Sequence, residues 1–372
     1  MKRPNGLLIL FPIFTAASAY AADFTADSAR GRQLFDTLSC VNCHSINGKG
    51  GSVGPDLGRI VDRGFTPATL AATMWNHAPA MWAAMKQRGI QAGDLSDQAA
   101  ADLFAYFYSA RFFEAPGDAG RGKKAFAARG CSGCHGLKEA LQPRIKPVSQ
   151  WESLGDPVAL TEAMWNHAPT MHAEAQSKHV PWPNLSAQEL TDILVYLRNQ
   201  PFPPTKPPAF QIGAGADGEA VFKARGCATC HPSVPQLSAS TRGKTLTEVA
   251  AAMWNHEPLM AKAGATPSQF APNEMRDLLG YVWAQQFFQD TGLATSGRRV
   301  FVSKRCASCH ESGAGNAPKL AGGGNFNGAT MVSALWRHGP SMLDQMKQKG
   351  VTWPRFEGMQ MADLIAYLNS KK

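Results

Sequence analysis

The sequence has few charged residues and few long apolar segments. Charged side chains make up only 17% of the 372 residues, whereas hydrophobic side chains make up 44%. This composition excludes an intrinsically disordered chain. No run of five or more basic residues occurs, although the formal net charge is +9, so nucleic acid is not expected as a partner. After the amino-terminal residues, no apolar segment reaches the roughly 20 residues needed to cross a bilayer.

The amino-terminal residues contain one short apolar run. Lys2 and Arg3 precede apolar residues over 7–17, and the small-x-small sequence Ala-Tyr-Ala ends at Ala21. This pattern is typical of a secretory signal peptide that is cleaved after its last small residue. The run is too short for a membrane anchor, which is the alternative. We therefore expect a signal peptide over 1–21 and a mature chain that is periplasmic or secreted.

No cysteine lies outside one recurring motif. All eight cysteines belong to four copies of Cys-x-x-Cys-His, which begin 91, 96 and 79 residues apart. This spacing is the length of a small domain and predicts a tandem repeat. The four copies are Cys40, Cys43 and His44; Cys131, Cys134 and His135; Cys227, Cys230 and His231; and Cys306, Cys309 and His310.

The repeat extends beyond the cysteines. A glycine stands nine residues before each first cysteine and a phenylalanine five residues before it, as in an amphipathic helix. Each unit then contains Trp-x-His-x-Pro-x-Met and closes with Asp-x-x-x-Tyr inside a stretch whose apolar residues recur three and four apart. The Trp-x-His-x-Pro-x-Met copies occupy 75–81, 165–171, 254–260 and 336–342, and the Asp-x-x-x-Tyr copies begin at Asp102, Asp192, Asp277 and Asp363.

These patterns predict an all-α fold of four tandem small helical domains, because no long segment alternates with a period of two. Clusters of turn-forming residues mark the boundaries between domains. The proline-rich segment is expected to be stiff and extended, holding two halves of two domains each at a fairly fixed spacing. The predicted domains are 22–114, 115–200, 216–290 and 291–372, with the proline-rich linker at 201–215.

Cys-x-x-Cys-His is the attachment signature of c-type haem. Two thiols at this spacing can reach the two vinyl groups on one edge of a porphyrin, and the adjacent histidine is directed under the ring, where it can ligate iron. Three alternatives are a redox-active dithiol, a zinc site formed by Cys40, Cys43, His44 and His77, and simple disulfides. Four matching copies without a spare cysteine favour haem over all three.

Each unit resembles a small class I cytochrome c domain. The resemblance implies four covalently attached haem c groups, each with iron, and a last helix that crosses the first. It also implies that a proline carbonyl supports the proximal histidine, which Pro55, Pro235 and Pro318 fit; unit two offers Pro143 or Pro147. The proximal iron ligands implied are His44, His135, His231 and His310.

Methionine and histidine are both candidates for the distal iron ligand. The resemblance implies a methionine in the loop ahead of the last helix, and none of the four loops contains one. The helix through residues 66–77 is expected to end or bend near Ala78, with Pro79 starting a second helix and the methionine following the bend. We therefore prefer methionine and keep histidine as the alternative. The preferred ligands are Met81, Met171, Met260 and Met342, and the alternative ligands are His77, His167, His256 and His338.

Both choices fill the sixth coordination position of iron, which leaves a haem suited to electron transfer. We predict a periplasmic tetrahaem c-type cytochrome that transfers single electrons between redox proteins of the periplasm or membrane. It would be no enzyme and would have no small-molecule substrate. The alternatives are a multihaem oxidoreductase with one open haem, acting as a peroxidase or small-molecule reductase, and a cytochrome subunit of a membrane or surface complex. The motif tryptophans are expected to pack on the haem rings, and His172 and His179 to be solvated.

Overall fold

The fold is almost entirely helical in the computed structural model. The only strands among the described residues are Ser45–Ile46 and Lys49–Gly50, which pair antiparallel. This confirms the predicted all-α fold. No helix in the described part of the chain combines the length and apolarity required to cross a bilayer. The structure describes residues 26–59, 65–91, 93–110, 117–202, 217–231, 237, 240, 244–265, 269–287, 292–314, 317–320 and 325–370, so the predicted signal peptide and most of the predicted linker lie outside the described residues.

Each unit contains a first, a middle and a last helix, with the Cys-x-x-Cys-His motif between the first and the middle helix. The first helices are Ser28–Thr37, Ala119–Ala128, Gly218–Ala224 and Ala294–Ser303. The middle helices are Pro67–Gln87, Pro157–Ser177, Leu246–Lys262 and Gly328–Gln348. The last helices are Asp97–Ala110, Ala187–Arg198, Glu274–Phe287 and Gln360–Asn369. The exact domain boundaries stay a prediction.

The first and last helices of each unit cross at the repeated glycine. A Cβ atom on Gly122 would lie 1.9 Å from the carbonyl oxygen of Asp192, so only glycine permits this approach. One turn further along, the rings of Phe126 and Tyr196 meet with centroids 6.0 Å apart. The repeated residues are thus the two sides of one helix crossing. The same contacts recur with Gly31, Gly218 and Gly297 against Asp102, Asp277 and Asp363, and with Phe35, Phe222 and Phe301 against Tyr106, Tyr281 and Tyr367.

The aspartate of Asp-x-x-x-Tyr fixes the start of the first helix. In unit two the carboxylate of Asp192 accepts from the backbone N–H of Asp118 at 2.7 Å and from Nε and Nη2 of Arg121 at 2.8 Å each. Asp102 accepts from Asp27 and Arg30 in the same way in unit one. A buried carboxylate must be satisfied by such donors, which explains why an aspartate recurs on an otherwise apolar helix face.

The middle helices run without interruption through the proline of Trp-x-His-x-Pro-x-Met. The predicted end of the helix near Ala78 is therefore wrong, because Pro67–Gln87 is one continuous helix. A proline inside a helix cannot donate a hydrogen bond to the carbonyl four residues earlier. Pro79 leaves the Trp75 carbonyl free in this way, and that carbonyl accepts instead from Nε1 of Trp353 in unit four at 2.8 Å. Tertiary contacts thus offset part of the cost of the proline.

The units pair in an order that differs from the sequence. Asn76 of unit one donates to the carbonyl of Phe356 in unit four and accepts from its N–H, at 2.8 and 2.7 Å. Asn166 of unit two makes the same two bonds with Phe270 of unit three, at 2.9 and 2.7 Å. The expected halves, in which neighbouring units stay together on each side of the linker, are therefore wrong, since the contacts join unit one to four and unit two to three.

The helix crossing predicts an asymmetric response to alanine. We expect Gly122→Ala to destabilise the protein by about 1–3 kcal/mol, because the new methyl group would collide with the Asp192 carbonyl and force the helices apart. Gly155→Ala is the matched control in the same unit, since nothing lies within 4 Å of a Cβ atom there. It should change stability by about 0.5 kcal/mol or less. Chemical unfolding of both variants checks this; similar midpoints would refute the importance of the crossing.

Candidate functional site

Each Cys-x-x-Cys-His motif forms a single helical turn. The residue before the first cysteine adopts a left-handed conformation, with φ of 63° at Ser39 and 64° at Arg305 and glycine at the other two positions. This residue turns the chain sharply out of the first helix. The N–H of the histidine then donates to the carbonyl of the first cysteine at 2.8–2.9 Å in all four units. The turn brings two thiols and one imidazole together in each unit.

The thiols of these turns are unpaired and mostly half-buried. All eight cysteines are free, so the structure contains no disulfide. Burial raises the pKa of Cys40, Cys131 and Cys306 to about 11, and these thiols are therefore protonated at neutral pH. A redox-active dithiol needs a lowered thiol pKa, so the direction of the shift argues against that alternative. Among the described residues, no group of three His, Cys, Asp or Glu side chains lies close enough to hold a metal ion.

The motif histidine is oriented by a proline carbonyl in two units. Nδ1 of His44 lies 3.0 Å from the carbonyl oxygen of Pro55, and Nδ1 of His310 lies 2.9 Å from that of Pro318. Because a carbonyl can only accept, Nδ1 must carry the proton and Nε2 keeps its lone pair for a metal. The expectation for these two prolines is confirmed, whereas Pro235 lies outside the described residues.

Unit two departs from this arrangement. Nδ1 of His135 is buried and has no hydrogen-bond partner, so neither Pro143 nor Pro147 takes the supporting role. The edge of its imidazole meets the Trp151 ring instead, with centroids 5.1 Å apart. Trp151 is itself held by a hydrogen bond of 3.2 Å from Nε1 to the carbonyl of Lys146. This ring contact, beside the Lys146 carbonyl that partly offsets the lowering of the His135 pKa by burial, thus takes the place of the proline carbonyl of units one and four.

In units two and three the motif histidine lies opposite the histidine of Trp-x-His-x-Pro-x-Met, with the two ring planes tilted by 62° and 52°. The imidazole centroids of His135 and His167 lie 6.2 Å apart, and those of His231 and His256 also lie 6.2 Å apart. A metal ion bound at about 2 Å by one nitrogen of each ring would hold the centroids about 6 Å apart. Burial lowers the pKa of His135, His167 and His231, which favours the neutral form that binds metals. The spacing therefore fits two axial ligands of one metal ion.

The other two histidine pairs are arranged in a related way. Burial lowers the pKa of His77, and His44 lies close enough to lower it further. In unit four, His310 and His338 line one cavity of about 370 Å³ together with both cysteines of the motif. Most of the remaining wall is apolar. Two thiols, two imidazoles and apolar walls are the groups that a covalently bound, iron-containing porphyrin requires, so the residues present fit haem c.

The methionines of the motif lie one helical turn beyond the histidines. Because the middle helices are continuous, residues four apart share one face, and both candidate ligands point in the same general direction. Met171 and Met260 pack against the hydrophobic core, and Met342 lines the unit-four cavity. Met81 is partly buried in unit one.

The tryptophans of the motif connect the units. Trp75 stacks on Trp353 of unit four with centroids 5.1 Å apart. Trp254 stacks on Trp182 of unit two at 4.4 Å and donates from Nε1 to the carbonyl of Pro183 at 2.8 Å. The expectation that these side chains pack only on the haem rings is therefore incomplete. The asparagines after them make the inter-unit bonds, and the only sequence signal for this role is that asparagine occupies the position in three of the four copies.

His172 is not solvated, contrary to expectation. Its Nε2 lies 2.5 Å from the carboxylate of Glu257 in unit three, and its ring stacks on Trp182 with centroids 4.1 Å apart. Glu257 is fully buried at a position where the other units have alanine or glycine. A buried carboxylate requires a partner, and His172 supplies it across the contact between units two and three.

Comparison with known proteins gives one family. The model of the cytochrome c family matches residues 28–110, 119–201 and 294–372, which together form more than half of the chain. Unit three lies outside these matches. No curated protein matches the chain, and no solved structure matches it.

The bond between Trp353 and the Trp75 carbonyl can be tested by a double-mutant cycle. We expect Trp353→Phe to cost about 1–3 kcal/mol of stability, because it leaves a partly buried carbonyl without a donor. In a Pro79→Ala background, the N–H of the new alanine can satisfy the same carbonyl, so the cost should fall by about 1 kcal/mol. Chemical unfolding of the four proteins measures both costs. Equal costs in the two backgrounds would show that the indole does not compensate for the proline.

Proposed function

The chain belongs to the cytochrome c family and is an electron-transfer haem protein, and from this premise we propose that it is a tetrahaem carrier of single electrons between redox proteins. The observation that carries the proposal is the short distance between the two imidazoles in units two and three, whose centroids lie 6.2 Å apart in both. A haem with both axial positions filled by protein has no vacant position for a substrate. Such a site supports electron transfer rather than the peroxidase or reductase alternative.

A fourth haem in unit three is part of the proposal. This unit has the same Cys-x-x-Cys-His turn as the others, with His231 N–H bonded to the Cys227 carbonyl at 2.8 Å. Gly218 approaches Asp277 at the same helix crossing. The family match does not extend to this unit, so the support comes from its local geometry.

In each unit the two motif cysteines would form thioether links and the motif histidine would ligate iron from one side. A bound haem supplies an iron that accepts and releases one electron. We propose the second histidine of each unit, His77, His167, His256 and His338, as the distal ligand. The distance between the two imidazoles in units two and three supports it, which reverses the preference for methionine drawn from the sequence. The methionines then pack as apolar side chains one turn away.

Export is also part of the proposal. A cleaved signal peptide is supported by the basic pair at residues 2 and 3, by the apolar run that follows and by the small residues before Ala21. Covalent attachment of haem takes place outside the cytoplasm, which agrees with export. We therefore propose a periplasmic or secreted carrier whose partners are redox proteins of that compartment or of the membrane.

The number of haems is a direct test. The pyridine haemochrome assay should give four haems per chain, and the intact mass should equal the polypeptide plus four haems. Replacing Cys227 and Cys230 by alanine should lower the count by one. A wild-type count of three would show that unit three binds none.

Carbon monoxide tests both the distal ligand and the carrier function. The reduced wild-type protein should bind little carbon monoxide, because no coordination position is open. His167→Ala should bind about one molecule per chain, whereas Met171→Leu should behave like the wild type. The reverse pattern in the absorption spectra would identify methionine as the ligand. Strong binding to the wild-type protein would favour the enzyme with one open haem.

A further inference from the structure

The four units form a row whose order differs from the sequence. The middle helices of units one and four pack together, and so do those of units two and three. Unit one also contacts unit three: the N–H of Leu246 donates to the hydroxyl of Tyr108 at 2.9 Å, and Trp283 stacks on Phe104 with centroids 5.6 Å apart. These contacts arrange the units as four, one, three, two. Units four and two are thus the ends, and units one and three lie between them.

The net charge of the chain is concentrated at one end of this row. Residues 291–372, which form unit four, contain eleven basic and four acidic side chains. Residues 22–290 contain 24 basic and 24 acidic side chains and are therefore neutral as a whole. An uneven distribution of this kind attracts an oppositely charged partner to one end and raises the rate of association there.

Part of this charge lies at the unit-four cavity. Lys304, Arg305 and Lys349 line the cavity, together with no acidic side chain. Arg305 and Lys349 are exposed. None of the three has a carboxylate within ion-pair distance among the described residues. We call these three residues the basic rim.

Units two and three neutralise the corresponding charge. Arg129, two residues before Cys131, forms a hydrogen-bonded ion pair with Glu189 at 2.7 Å. Arg225, two residues before Cys227, pairs with Glu274. Both glutamates stand three residues before the aspartate of Asp-x-x-x-Tyr, where unit four has Gln360. Among these three units, unit four is therefore the one whose basic residue two positions before the first motif cysteine, Lys304, has no carboxylate within ion-pair distance among the described residues.

We propose that an acidic redox protein docks on the basic rim of unit four, and that electrons cross the chain in the order four, one, three, two. In each internal transfer the haem of one unit loses one electron and that of its neighbour gains it. The docked acidic protein exchanges the electron with unit four, and a second redox protein exchanges it with unit two. The proposal rests on the proposed function as a multihaem carrier. It adds the unit that meets the partner and the order of the internal transfers.

The docking site can be tested with a gold surface that carries carboxylate groups. The full-length protein should bind this surface at low salt and dissociate as salt is added, because exposed charges are screened. Lys304→Glu/Lys349→Glu should weaken binding about tenfold. Lys123→Glu/Lys124→Glu changes the charge of unit two by the same amount and should alter binding less than twofold. Equal losses in the two variants would overturn the assignment of docking to unit four.

The order of transfer can be tested on the same surface used as an electrode. Cyclic voltammetry counts the haems that exchange electrons rapidly, and the pyridine assay counts all haems present. Without the unit-three haem, in Cys227→Ala/Cys230→Ala, the proposed row predicts that two of the three remaining haems react rapidly. Transfer in the order of the sequence, from unit four to three, two and one, predicts that only one haem reacts rapidly. Without the unit-one haem, in Cys40→Ala/Cys43→Ala, the row predicts one rapid haem and the sequence order predicts three.

These measurements distinguish a failure of the docking and transfer-order proposal from a failure of the proposed function. Three rapid haems in both variants would overturn both the transfer order and the docking at one end. If the pyridine assay detects no haem in the wild-type protein, the proposed function is refuted instead. The binding comparison can still be interpreted in that case, because it requires no electron transfer. Should one of the two cysteine variants fail to fold, the other still distinguishes the two orders.

Discussion

The close crossing of the first and last helices in each unit is the constraint on which the other features depend. A glycine on the first helix touches the backbone of the last helix, and a buried aspartate holds the start of the first helix in place. The Cys-x-x-Cys-His turn follows directly from that first helix, so the crossing sets the position of its thiols and imidazole. The middle helix then brings a second histidine opposite the first. A unit without this crossing would have no defined site.

The proline of the middle helix connects site and assembly. It removes one hydrogen bond from its own helix, and in unit one the carbonyl left free becomes an acceptor for a tryptophan of unit four. The neighbouring asparagine binds the backbone of the same partner unit. The histidine between these residues lies near the motif histidine of its own unit. One short motif therefore contributes to the proposed metal site on one side and to the contact between units on the other.

The sequence predicted what each unit repeats, because a repeated residue reveals a repeated contact. The helices and the role of Pro55 and Pro318 were predicted from spacing or resemblance, and the repeat marked the glycine and the aspartate without showing what they contact. The pairing of units could not be predicted, since Trp353, Phe356 and Phe270 meet residues that are remote in sequence and lack counterparts of the same type in every copy. The end of the middle helix was also misjudged, because all four helices tolerate the internal proline, and an inter-unit hydrogen bond satisfies the freed carbonyl in unit one. Histidine and methionine could not be separated by spacing, since both lie on one face of an unbroken helix.

The pairing of the first unit with the last has a consequence for biosynthesis. Asn76 and its partner Phe356 are 280 residues apart, so unit one leaves the ribosome long before the surface that covers it has been made. Until then the ring of Trp75, and its carbonyl that Pro79 leaves without a donor, are exposed to water and to other unfolded chains. Contacts between such distant residues form slowly, and exposed apolar surface promotes aggregation meanwhile. If the chain is truncated within its final twenty residues, unit one therefore loses the unit-four surface that covers it, although every residue of unit one is intact.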